Sequence, residues 1–127
     1  MKLVYLDVDG VLLGHAAGSV ALARHASEFI DFLLSHFDVY WLTTHCRDDV
    51  RPNLDYLGRY SPADFLNRLT AIKPTCFDVL KTEALIGDFY WVDDSPLQTE
   101  IAELRRREKF DRWIEVNTRL RTTCCSR

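Results

Sequence analysis

Apolar runs in this chain of 127 residues repeatedly end in small clusters of polar side chains. Leu3-Val4-Tyr5-Leu6 leads into Asp7-Val8-Asp9-Gly10, Val39-Tyr40-Trp41-Leu42 into Thr43-Thr44-His45, and Phe89-Tyr90-Trp91-Val92 into Asp93-Asp94. Continuous runs of aliphatic, β-branched and aromatic residues predict strands covered on both faces, each delivering polar groups at its tip. Gly10 lets the chain leave the first strand in a backbone conformation that other residues resist. The segment Leu12 to Val20, with Gly14 and Gly18, suits a short hairpin or flap over that tip. Ser27 can cap a helix that buries Phe29, Ile30, Phe32, Leu33 and Leu34 and ends near His36. Pro52 opens a second helix that Gly58 closes. Phe65 to Ile72 alternates partly and predicts a third strand, followed by a helix from Thr75 to Ile86 that Gly87 ends. Pro96 starts a helix with Ile101, Ala102 and Leu104 inward, and Trp113 to Val116 predicts a fifth strand.

Strands alternating with helices imply an α/β fold: a doubly wound, three-layer sandwich around a mainly parallel five-stranded sheet with right-handed crossovers. Ligands of such sheets sit beyond the carboxyl ends of the strands, where Asp7, Thr43 and Asp93 fall together although far apart in sequence. At 14.8 kDa, residues 1–127 make one domain, with 121–127 as a flexible tail and too little chain for a large lid, so an open site is expected. Apolar content of 47% and charged content of 28% exclude a disordered chain. A net charge of −3 disfavours bulk nucleic-acid binding. The first strand starts at Lys2, leaving no room for a targeting segment. With no apolar stretch near the ~20 residues that span a bilayer, a cytoplasmic protein without membrane contact is expected. Cys46, Cys76, Cys124 and Cys125 lack a repeated CxxC spacing and are expected as reduced thiols; Cys-Ser-Arg after Cys124 is not a prenylation signal. The run Arg105 to Lys109 reads as the solvated end of a helix.

The polar tips point to phosphate chemistry. Carboxylates spaced i, i+2 at a strand exit repel each other unless a cation or a phosphate partner uses them. With a phosphate ester and Mg²⁺, Asp7 can attack phosphorus and form an acyl phosphate, while Asp9 protonates the leaving oxygen and later takes a proton from water. Asp93 and Asp94, with Asp7, supply the hard oxygen ligands that Mg²⁺ prefers. Thr43 can bond a non-transferring phosphoryl oxygen, or Thr44 if the strand ends one residue later. A lysine should neutralise developing charge. A helix running down the sheet and a strand returning favour Lys73 for that task; a shorter or distorted helix would bring Lys81. Gly10 and Arg47 are further candidates for substrate contact, and His45 and Cys46 can line the entrance.

The ordered set Leu6-Asp7-Val8-Asp9-Gly10-Val11, Trp41-Leu42-Thr43-Thr44, a lysine, and Trp91-Val92-Asp93-Asp94 resembles the four motifs of the haloacid dehalogenase superfamily. The resemblance implies a nucleophile at Asp7, an acid/base at Asp9, a phosphate binder at Thr43 and metal ligands at Asp93 and Asp94, with the Asp9 backbone carbonyl also on Mg²⁺. The paired acids imply the phosphatase and phosphotransferase branch. Neither usual cap position has room for a lid beyond the flap, so the chain looks like a capless member, which implies bulky or macromolecular phosphorylated substrates. The residues do not choose among a protein phosphate, a nucleic-acid end and a small metabolite, nor do they give an oligomeric state. Two rivals stand beside this one. A receiver domain would carry its phosphoacceptor on the third strand, which this chain lacks. A catalytically silent phosphate- and Mg²⁺-binding module with a regulatory role would not need both Asp7 and Asp9.

Overall fold

The computed structural model describes residues 2–16, 18–45 and 48–116. Its centre is a parallel four-stranded sheet of β1 (Leu3–Leu6), β4 (Asp38–Trp41), β5 (Phe89–Asp93) and β6 (Trp113–Glu115), in the order β4-β1-β5-β6. An antiparallel hairpin, β2 (Leu13–Ala16) and β3 (Ser19–Leu22), follows β1 as expected. The helices are α1 (Ala26–His36), α2 (Arg51–Gly58), α3 (Ala63–Leu69) and α4 (Gln98–Arg106).

Strand alternation sends side chains to both faces of the sheet, and both are covered. Val4, Leu6, Val39, Trp41 and Val92 pack with Ile30 and Leu33 of α1, Leu57 of α2, and Phe65 and Leu69 of α3. Tyr5, Phe89 and Trp91 pack on the other side with Phe77, Leu85 and Leu104 of α4. The chain is therefore a three-layered α/β fold. Register pairs Leu6 with Trp41 on one side and Val92 on the other, which aligns the carboxyl ends of the three central strands.

Two elements differ from the sequence expectation. Phe65 to Ile72 is mostly helix α3, because Phe65, Leu69 and Ile72 recur at helical spacing and all are buried. The sheet accordingly has four strands, not five. A bridge to β4 comes instead from Lys73, just beyond the expected strand, whose N–H donates to Val39 O at 3.1 Å and whose carbonyl accepts from Trp41 N–H at 2.8 Å. The segment from Thr75 to Ile86 is not a helix either; only a 3-10 turn at Lys81–Ala84 is regular. Carboxylates replace the helical hydrogen bonds there: Glu83 accepts from the N–H groups of Asp78, Val79 and Leu80, and buried Glu100 on α4 accepts from Lys81 N–H at 2.6 Å. Arg107 adds donors to the carbonyls of Leu85 and Thr82, each at 3.0 Å, so the basic run is not simply solvated. Ser27 lies inside α1, where its hydroxyl accepts from Arg68 rather than capping. Ala102 is exposed, and Glu100 takes the inward place on α4. Cys46, Arg47, Cys124, Cys125 and the expected tail at 121–127 lie outside the described residues. Among the described residues no helix is long and apolar enough to cross a membrane.

Candidate active site at the carboxyl edge of the sheet

Asp7 follows β1 directly and Asp93 ends β5, so the pairing of Leu6 with Val92 sets the two acids side by side. The Asp7 N–H donates to Val92 O at 3.1 Å, which fixes the backbone from which its side chain projects. Lys81 reaches both acids: its Nζ donates to Asp93 Oδ2 at 2.8 Å and lies 3.3 Å from Asp7 Oδ1. The three side chains are largely dry, at 15% exposure for Lys81, 10% for Asp7 and 2% for Asp93. Asp93 keeps its other oxygen on the Ser95 N–H at 3.0 Å.

Burial first, and the Asp93 charge second, push the Asp7 carboxyl up to about 7 against the opposing pull of Lys81. Lys81 is itself raised: desolvation works against its charged form, but the Asp7 and Asp93 carboxylates outweigh that. Lys81 is shared between two acids, and Asp94 brings a third carboxylate beside them. Asp7, Asp93 and Asp94 each place a ligand oxygen within 4.8 Å of the others. Mg²⁺ binds oxygens at about 2.0–2.1 Å, so ligands across the ion stand roughly 4.2 Å apart and modest side-chain rotation would close this set. Three carboxylates fit a hard divalent cation in charge, donor type and spacing.

Gly10 makes this approach possible. Its φ is +79°, and a Cβ there would lie 2.0 Å from Asp94 Oδ2 and 2.8 Å from Asp94 Cβ. A cleft of about 280 Å³ opens on the cluster, lined by Asp7, Asp9, Gly10, Lys81, Asp94 and Tyr56, among others, with the β2–β3 hairpin contributing Leu13, Gly14 and Val20.

The expected residues divide into those gathered here and those placed elsewhere. Asp7, Gly10, Asp93 and Asp94 meet as expected. The lysine beside the acids is Lys81, whereas Lys73 is exposed and holds its Nζ 5.4 Å from the Tyr40 ring centroid; the loss of the expected helix brings Lys81 to the acids. Asp9 lines the cleft, but its carboxylate stands outside the three-acid cluster, accepting from Tyr56 Oη at 2.8 Å and lying 2.9 Å from His45 Nε2. Thr43 is buried at the tip of β4, where its Oγ1 accepts from His45 N–H at 3.3 Å, and Thr44 is exposed; neither lines the cleft. Tyr56 and Glu100 are the residues that sequence reasoning missed. Tyr56 lies on the second helix between the apolar residues Leu54 and Leu57, and Glu100 carries no local signal.

Comparison with family models, with curated proteins and with solved structures finds no match to this chain.

Proposed function

We propose that the protein is a Mg²⁺-dependent phosphohydrolase of the haloacid dehalogenase type, cleaving phosphomonoesters through an aspartyl-phosphate on Asp7. The observation that carries the reading is the meeting of Asp7, Lys81, Asp93 and Asp94 at one cleft from three separate stretches of chain. A structural salt bridge needs one acid per lysine. Here a second acid shares the same lysine and a third carboxylate, Asp94, lies beside them, an arrangement that a divalent cation would stabilise.

Asp7 is the nucleophile in this reading. Its carboxylate forms the new O–P bond as the ester P–O bond breaks, and Asp9 supplies the proton that leaves with the alcohol. Lys81, 3.3 Å from Asp7 Oδ1, offsets negative charge as it builds on the transferring group. Asp7, Asp93 and Asp94 would hold Mg²⁺, which supplies Lewis-acid polarisation of the phosphoryl oxygens when bound. Water then attacks the acyl phosphate, with Asp9 accepting its proton, to regenerate Asp7 and release phosphate. Among the described residues a short hairpin, and no separate cap domain, follows β1 at the cleft, which suits a bulky phosphorylated substrate.

The test is acid quenching during turnover of an aryl phosphate, followed by mass mapping of the peptide that contains Leu3 to Val11. One phosphoryl group on Asp7, absent from Asp7→Asn, is expected. A phosphoryl group on a different residue would overturn the assignment of the nucleophile.

A further inference from the structure

Asp9 is held by residues from well beyond its own strand. Tyr56, 47 positions later on α2, donates its phenol to Asp9 Oδ1 at 2.8 Å. His45, 36 positions later, sets Nε2 2.9 Å from Oδ2. The His45 and Tyr56 rings stack at 4.2 Å and 20°, and Tyr60 packs edge-on against Tyr56 at 5.8 Å. These contacts take up both oxygens of a carboxylate whose side chain is 58% exposed, where an untethered aspartate would sample several rotamers.

We infer that Tyr56 and His45 are positioning residues that hold the Asp9 carboxyl in the orientation from which it passes a proton to the leaving oxygen. The inference rests on the phosphohydrolase reading, since only a group that handles a proton gains from such placement. Tyr56 on Oδ1 and His45 beside Oδ2 together fix the plane of the Asp9 carboxyl where it lines the cleft. As the ester P–O bond breaks and the Asp7 O–P bond forms, the Asp9 carboxyl passes its proton to the departing alkoxide and is left as a carboxylate still bonded to Tyr56. His45, stacked on Tyr56, walls the side of Oδ2 and keeps the carboxyl plane from turning. Neither ring need touch the phosphoryl group.

The signature is a dependence on the leaving group. Alcohols that make poor leaving groups need the proton, whereas acidic phenols leave without it, and kcat/KM reports the step in which that bond breaks. Tyr56→Phe, which keeps the ring and its stacking, should lower kcat/KM on alkyl phosphates roughly 10–100-fold and steepen the dependence on leaving-group acidity. In an Asp9→Asn background the same substitution should cost little more, because the group it positions is gone. His45→Ala should act in the same direction. A loss equal across all leaving groups, or one that persists undiminished in Asp9→Asn, would overturn the inference. Crystals of Tyr56→Phe give a readout that needs no activity: the Asp9 carboxylate should spread over more than one rotamer, and a single rotamer unchanged from wild type would equally overturn it. Wild-type protein inactive on the entire series would count against the phosphohydrolase reading, and the Asp9 rotamers would still decide the positioning role.

Discussion

Asp7→Asn should make the metal-free protein more stable, by an amount that grows with pH. The folded protein holds the Asp7 proton until about pH 7, against an unperturbed value of 3.8. Because this carboxyl binds its proton more tightly when folded, the stability it contributes is complete below about pH 4 and is lost as pH rises through 7. At about 1.36 kcal/mol for each tenfold change in proton affinity, the ceiling at pH 8 is about 4 kcal/mol. Allowing for relaxation around the Lys81 ammonium, we expect about 2–4 kcal/mol, or roughly 6–15 °C in Tm for a domain of this size. Asparagine keeps the shape and can still accept from Lys81, so the comparison isolates charge. Thermal melts of both proteins in chelator from pH 4 to 8 should therefore start nearly coincident and diverge, with wild type the less stable. Adding Mg²⁺ at pH 8 should raise the wild-type Tm more than that of Asp7→Asn and narrow the gap, since a ligand stabilises the form that binds it. Parallel melting curves across the whole pH range would refute the idea that the Asp7, Asp93 and Lys81 cluster is short of positive charge.

Lys81→Met should leave Asp7 and Asp93 facing each other without a cation, costing about 3–5 kcal/mol near neutral pH in denaturant unfolding and less at low pH, while exposed Lys73→Met should cost under about 1 kcal/mol; equal losses for the two would contradict the assignment of Lys81. Gly10→Ala meets both a left-handed backbone and the Asp94 side chain, so it should destabilise by at least about 1–2 kcal/mol and displace Asp94. In activity assays it should raise the Mg²⁺ concentration needed for half-maximal rate, and an unaltered metal requirement would mean that Asp94 is not a ligand.

The elements that a local pattern can specify were legible in the chain. Strands β1, β4 and β5 announce themselves by uninterrupted apolar runs, and their polar ends place Asp7, Asp93 and Asp94 because parallel strands must carry those ends to one edge. Phe65 to Ile72 misleads because its apolar positions satisfy helical spacing as well as partial alternation, and burial of Phe65, Leu69 and Ile72 on one side decides for helix. The choice between lysines hinged on a helix at Thr75 to Ile86 that does not form. Glu83 binds three backbone N–H groups locally and Glu100 a fourth from α4, so a loop with satisfied donors competes with the helix. That tertiary term has no signature in the segment itself. The Tyr56 and His45 contacts with Asp9 were hidden for the same reason, since each arises from how α2 and the β4 tip settle against the first loop.

The most direct measurement is phosphate release from an aryl phosphate by wild type and Asp7→Asn, each with Mg²⁺ and with chelator. The account predicts turnover that requires Mg²⁺ and falls to background in Asp7→Asn while the variant stays folded. Turnover that persists in Asp7→Asn, or that is indifferent to Mg²⁺, would contradict it.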